Sequence, residues 1–314
     1  MRPSAGSRSP DLASLNLRLA DRYVKSTSMS RVDVSSTLTE ELERLTAERK
    51  MRAIAVALHD LETGFRFSLR GNRRFHAAST IKVAVLLAVF RAADEGRLYL
   101  DDSLHVRNRF FSAADGSLFR VSQDRDAAPE LYAAIGRTVK MSALAAAMIS
   151  GSSNLATNLL LDFVGVEYAR QVLRDAQVNG VELRRGVEDH RAHECGINNE
   201  ATADGLLSLL SAIRGDFLSN KSKQEVIRIL LEQRFNSMIP AGLPAHATVA
   251  HKTGEISTAS HDIGIIYLPE REPYIAVILT EFDTDREGRR EMVASISEVI
   301  YRFLRARESK SNEN

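Results

Sequence analysis

Apolar and polar positions change their rhythm three times along this chain. Leu38, Leu42 and Leu45 recur at helical spacing, and Thr37 and Glu40 have the separation of a capping box, so a helix is expected from Thr37. Residues 53–58 form a short apolar run that ends at Glu62-Thr63-Gly64, after which Phe65, Phe67 and Leu69 alternate with polar residues. That is the pattern of a β-hairpin. From about Ser79 to Pro240 the spacing is helical, over 142–150, 154–164, 167–176, 202–213 and 221–233. Strand patterns return after Pro244, over 248–252, 262–268 and 274–282, with Pro269, Arg271 and Pro273 marking a tight connection between the last two. A final helix over 287–307 sets Met292, Ile296, Val299, Ile300 and Phe303 on one face.

The order predicts an α+β fold. Two strands from the start and three from the end form one five-stranded antiparallel sheet covered by the terminal helices, with an all-helical lobe inserted between them. The expected boundaries are a sheet lobe over 36–72 and 244–310 and a helical lobe over 73–243, together one domain over 36–310. Residues 1–35 are rich in Ser and Arg and show no apolar core of a signal peptide, so they read as a disordered leader. A cleft between lobes is the expected place for a site. The polar stretch from Arg109 to Asp126 is long for a loop, which marks it as mobile or functional.

Composition narrows the function classes. Lys and Arg total 42 against 41 Asp and Glu, and 44% of residues are hydrophobic, as in an ordinary globular protein. Balanced charge argues against nucleic acid as a partner. The longest apolar run, Val83 to Phe90, is far short of a membrane span. A single cysteine, Cys195, excludes an internal disulfide. G-x-S-x-G, P-loop and G-x-G-x-x-G patterns are absent, so neither an α/β-hydrolase elbow nor a nucleotide cofactor is indicated. His190 and His193 beside Glu194 and Cys195 lack a second ligand pair and read as a polar loop, so no metal is expected.

The chemistry gathers at three short motifs. Ser79-Thr80-Ile81-Lys82 opens a helix whose following residues are apolar nearly all round. Residues three apart share a helix face, so the Ser79 hydroxyl and Lys82 amine can meet. Burial and a neighbouring cation both lower a lysine pKa, and a neutral amine can take a proton from serine. Alone, that spacing is weak evidence and more often marks an N-cap serine with a snorkelling lysine. It is followed 73 residues later by Ser152-Ser153-Asn154 at a helix start, and then by Lys252-Thr253-Gly254 at a strand end.

The ordered set S-x-x-K, S-D-N, K-T-G belongs to class A β-lactamases and penicillin-binding proteins. From Thr37 to Arg307 this sequence resembles the class A serine β-lactamase family, flanking residues included: Phe75-His76-Ala77-Ala78, Asn158-Leu159-Leu160-Leu161 and His261-Asp262-Ile263-Gly264. The resemblance implies a serine hydrolase that opens a β-lactam ring through an acyl-enzyme, without a cofactor, acting on a small molecule; a monomer is the default expectation. It assigns Ser79 as nucleophile and Lys82 as the group that helps deprotonate it. Ser152 passes a proton to the departing nitrogen. Asn154 holds Lys82 and the substrate side-chain amide, and Lys252 and Thr253 bind the substrate carboxylate. The backbone N–H groups of Ser79 and Glu255 form the oxyanion hole, and Glu188 activates the deacylating water.

The sequence also departs from the family. Ser153 stands where the second motif has Asp, and the Asn expected shortly after Glu188 is missing, leaving Asn198 or Asn199 as replacements. No Arg follows the third motif closely, so Arg286 or Arg289 is the expected substitute. The family is exported to the periplasm or beyond, whereas no export signal is visible here. Two alternatives stay open: a D,D-peptidase or esterase of the same fold, and a penicillin sensor that stays acylated.

Overall fold

The computed structural model describes residues 35–48, 51–283 and 287–312, with side chains to 308. A helix α1 over 35–48 precedes strands β1 (Ala53–Asp60) and β2 (Arg66–Leu69). It is already formed at 35, so Thr37 lies inside it rather than at its cap. The rest of the expected leader, 1–34, lies outside the described residues.

The hairpin extends into one sheet with β3 (Thr248–Ile256), β4 (Ala259–Leu268) and β5 (Arg271–Glu281), in the order β3-β4-β5-β1-β2. Every neighbouring pair is antiparallel, as expected. Strands β3 and β4 run longer than their hydrophobic patterns, because the ladder between them continues through the polar residues of 253–262, and β5 starts three residues early, at Arg271.

Period-two alternation explains both faces of the sheet. Ile54, Val56, Leu58, Ala276 and Ile278 pack with Leu38 and Leu42 of α1 and with Val293, Ile296 and Ile300 of the last helix, α9 (Arg289–Asn312). Ala53, Ala55, Ala57, Ile263, Ile265, Val277 and Leu279 face the helical insertion. There α2 (Lys82–Asp94) is buried on almost every side, so it forms the axis of the second lobe. Around it lie α3 (Met141–Ser150), α4 (Asn154–Val164) and α5 (Val166–Asp175). A one-turn helix α6 (His190–Glu194) precedes α7 (Ala203–Arg214) and α8 (Asn220–Leu231). Each longer insertion helix starts within a residue or so of its sequence pattern. Thr202 and Ser219 cap α7 and α8 through their hydroxyls. Among the described residues no helix is long and apolar enough to cross a membrane.

Candidate active site

Strand β3 forms one edge of the sheet and lies against the turn that starts α2. Residues Ala78–Ile81 form a 3-10 turn, entered through Ala78 at φ 47°. A Cβ on Gly254 would stand 3.1 Å from Ser79 N and 3.0 Å from Thr80 N. Glycine in the third motif therefore lets the sheet edge reach the backbone of the first motif. His261 of β4 braces the same place: its Nε2 donates to His76 O at 3.0 Å while Nδ1 accepts from Thr280 N at 3.1 Å. Burial holds its pKa down at about 4, so the ring is neutral and that tautomer fits both bonds. His76 serves the turn too, its Nδ1 accepting from Ala78 N at 3.0 Å.

Lys82 is fully buried at the head of α2. Its Nζ donates to Ser152 O (2.6 Å), Ser152 Oγ (3.2 Å) and Asn154 Oδ1 (2.8 Å). The first motif is thus bound to the second through the lysine, and among the described residues no hydrogen bond joins Ser79 Oγ to Lys82 Nζ. Burial lowers the Lys82 pKa well below its usual range, and the Lys252 cation lowers it further; the carboxylates of Asp126 and Glu188 oppose both. The neighbouring cation expected from the sequence is therefore Lys252. A lysine so placed loses its proton more readily and then offers a lone pair to a serine hydroxyl.

The second motif turns sharply. Ser152 sits at φ 55°, a left-handed conformation that costs a non-glycine residue about 1 kcal/mol or more. Ser153 then caps α4, accepting from Ala156 N at 3.1 Å. The carboxylate missing from position 153 comes from elsewhere. Asp126, 6% exposed, accepts from Ser153 Oγ (3.1 Å) and Leu155 N (2.9 Å) through Oδ2, and from Ala128 N (3.0 Å) through Oδ1. It closes the long polar stretch from Arg109, so that stretch is structural at this end.

Glu188 lies opposite, half-buried and at φ 58°. Its Oε1 accepts from Asn154 Nδ2 at 2.7 Å and its Oε2 from Ser122 N at 2.9 Å. Asn154 thus touches Lys82 with its oxygen and Glu188 with its nitrogen, a two-bond bridge between the groups assigned to the two half-reactions. Side chains hold the Glu188 loop in place. Asn158 clamps Val187, accepting from its N at 2.8 Å and donating to its O at 2.9 Å. Gly186 passes so close that a Cβ would lie 2.8 Å from Asn158 Oδ1. Asp189 caps α6 at Ala192 N and accepts from Ser112 Oγ and Ala113 N, both at 2.8 Å. Asn199 accepts from Arg184 N and Arg185 N and donates to Arg185 O, and Asn198 Oδ1 meets His193 Nδ1 at 2.7 Å. Both asparagines brace loop backbone or side chains rather than replace the missing residue beside Glu188.

Lys252 and Thr253 are buried in β3, with Lys252 Nζ donating to Thr253 O at 2.9 Å. Burial pulls the Lys252 pKa down to about 7, against the carboxylates of Asp262 and Glu255. Glu255 at the strand's outer end is half-buried and held by both Nε and Nη2 of Arg290. Arg289 instead donates to the carbonyls of Ile256 and Ser257, and Arg286 lies outside the described residues. Arg290 thus reaches this wall through Glu255, and Arg289, expected from the sequence, reaches it through the carbonyls of Ile256 and Ser257.

A cleft of about 440 Å³ is lined by Ser79, Asn154, Glu188 and Glu255, together with His76, Arg125 and Arg185. Lys82, Ser152, Lys252 and Thr253 stand behind that lining. The eight residues singled out in the sequence therefore converge. Asp126, Ser122 and Arg290 were missed; only Asp126 had a signal, as the end of an overlong polar segment. His190 and His193 sit on the loop wall, and among the described residues no group of three or more His, Cys, Asp or Glu is arranged to hold a metal.

Comparison with known proteins agrees with the fold. Residues 37–304 match the model of the β-lactamase enzyme family. The chain is 27% identical over 276 residues to β-lactamase ROB-1 of Haemophilus influenzae, covering 86% of this chain and 85% of that one. It is 25% identical over 280 residues to a β-lactamase of Proteus vulgaris, covering 85% of this chain and 87% of that one. Among solved structures, a variant of the last common ancestor of Gram-negative bacterial class A β-lactamases superposes with TM-score 0.75 at 26% identity, over 86% of this chain and 99% of that one. PBP-A shares the fold, with TM-score 0.74 at 24% identity, over 86% of this chain and 96% of that one.

Proposed function

The chain belongs to the β-lactamase enzyme family, and on that premise we propose that it is a serine β-lactamase working through an acyl-enzyme on Ser79. One observation carries the reading: Asn154 joins the buried Lys82 to Glu188 beside the cleft that Ser79 lines. In the first step Lys82, in its neutral form, takes the Ser79 proton as Oγ adds to the β-lactam carbonyl. The oxyanion is met by the N–H groups of Ser79 and Glu255, fixed by the close approach at Gly254. Ser152, hydrogen-bonded to Lys82, delivers a proton to the departing ring nitrogen. Lys252 and Thr253 hold the substrate carboxylate. In the second step Glu188 takes a proton from water, the hydroxide adds to the ester carbonyl, and Ser79 leaves with its proton restored.

The D,D-peptidase reading and the sensor reading fit less well. Both have less need of a dedicated deacylating carboxylate, and the hydrolytic reading is supported by Glu188 lining the same cleft as Ser79, held by two donors. The deciding experiment follows benzylpenicillin hydrolysis and intact protein mass together. Turnover without a lasting adduct is expected. A permanent adduct on Ser79 without turnover would favour the sensor, and neither adduct nor turnover would refute the substrate class.

A further inference from the structure

One buried ion pair takes no part in the scheme above. His251 and Asp262, beside Lys252 at the sheet edge, are enclosed almost completely, with side chains 1% and 0% exposed. The register sets His251 against Gly264 and Thr253 against Asp262, so these four share one face of the sheet and Lys252 points to the other. A Cβ on Gly264 would stand 2.8 Å from His251 Cβ, so glycine there makes room for the ring. The ring's partners fix its protons. Nδ1 faces both carboxylate oxygens of Asp262, at 2.9 and 3.1 Å, and Nε2 faces Asn236 Oδ1 at 3.0 Å. These oxygens only accept, so both ring nitrogens donate and His251 is an imidazolium against a carboxylate. Asp262 Oδ2 takes a further donor, Ile239 N at 3.0 Å, from the turn Ile239–Gly242.

The pair matters for its neighbour. Burial brings the Lys252 pKa down to about 7; Asp262 opposes this most, and Glu255 less. Glu255 is already engaged by Arg290. From α2 comes Lys82, whose own proton is disfavoured by the Lys252 charge, while Asp126 and Glu188 act on Lys82. His261 of β4 is neutral. Helix α8, packed on β3, buries Val226, Ile229 and Leu230, and its Glu225 and Arg228 pair with each other while Lys223 meets Asp216. The turn Ile239–Gly242 has no ionisable side chain, and Glu291 and Glu298 of α9 are exposed. Asp262 is therefore the charge on which Lys252 depends, and His251 is the charge that offsets it. Resting on the acyl-enzyme reading above, in which Lys252 holds the substrate carboxylate, we propose that His251 and Asp262 are positioning residues for Lys252: the carboxylate keeps the ammonium charged through the sheet, and the imidazolium fixes that carboxylate and limits its pull.

The test gives the two partners opposite signs. In the full chain the titration of Lys252 is followed by ¹³C NMR of the lysine Cε, the signal being assigned by its loss in Lys252→Arg. The alkaline limb of kcat/KM for benzylpenicillin is measured beside it. Asp262→Asn keeps the side chain's shape and removes its charge, so Lys252 should lose its proton earlier, by about one pH unit. His251→Gln keeps a donor for Asp262 and removes the opposing cation, so Lys252 should lose its proton later, by up to about one pH unit. The limb of kcat/KM should move with each. Loss of packing alone would move both variants the same way, so shifts in one direction, or either variant titrating like the wild type, would overturn the proposal. ¹⁵N NMR of the wild-type histidines needs no variant to fold: a buried ring with both nitrogens protonated is expected, and a bare nitrogen on His251 would overturn the pairing. Opposed Lys252 shifts in a chain that benzylpenicillin never acylates would uphold the pair and overturn only the acyl-enzyme reading.

Discussion

The two walls of the cleft are built from different kinds of bond. The strand wall is backbone: an antiparallel ladder carries Lys252 to Glu255, and a glycine lets it touch the turn that presents Ser79. The loop wall is held by side chains, with Asn158, Asn199 and Asp189 standing in for a ladder. A ladder survives most single substitutions, because neighbouring pairs keep its register. A side-chain clamp fails with one residue, since each carboxamide or carboxylate satisfies several buried donors at once. Acylation, which needs the strand wall, should therefore be robust, while deacylation, which needs Glu188 in place, should be fragile.

Breaking the contrast at its centre gives the largest effect. Ser79→Ala should abolish covalent labelling by benzylpenicillin, read by intact mass, because the nucleophile itself is gone. The next effect falls on the loop wall alone. Asn158→Ala leaves the Val187 N–H without its partner and should cost about 1–3 kcal/mol of stability, seen in denaturant melts. In the same variant the deacylation rate should fall more than the acylation rate; equal losses would erase the distinction between the walls. Asp126→Asn should slow acylation about tenfold, the scale of losing an outer partner that orients a reacting group. Placing the carboxylate back in the motif, as Ser153→Asp in an Asp126→Ala background, should recover much of the rate.

The smallest effect is in pH. In the proposed reading Lys252 binds the substrate carboxylate only when charged, and burial brings its pKa down to about 7. The apparent kcat/KM should therefore decline on the alkaline side of about pH 7, and Lys252→Arg should remove that limb because a guanidinium stays charged. Stability runs the other way. Between about 7 and the ordinary lysine value the unfolded chain binds the extra proton, so this group makes folding more favourable as pH rises through that window. A denaturant series across the window, wild type against Lys252→Arg, checks the sign.

What could be read in advance follows the same division. The sheet was legible because the apolar runs within 53–58 and 274–282 report two buried faces, and the order of strands and helices left few topologies. The strand-wall residues were legible because K-T-G and S-x-x-K are contiguous motifs whose spacing fixes their geometry. The loop wall was only half legible. Glu188 could be located by its distance from Ser152, but its partner Ser122 lies 66 residues away with no periodicity to link them, just as Asp126 lies 27 residues from the Ser153 it supports in the second motif. Arg289 was located at this wall, but its neighbour Arg290 on Glu255 was not foreseen, because the start of α9 could not be set that finely and one residue turns a helical side chain by 100°. The cap expected at Thr37 failed for the same reason: spacing shows that a helix exists, not where its first turn begins.

The most direct test of the central claim is a mass-resolved time course of Glu188→Gln with benzylpenicillin, run beside the wild-type chain. The division of labour between the walls predicts that both proteins gain the penicilloyl adduct at similar rates. It also predicts that only the wild type sheds the adduct, with turnover of the variant lower by about a hundredfold or more. A Glu188→Gln protein that clears its adduct as fast as the wild type would contradict the account, because water would then be activated somewhere other than at the loop wall.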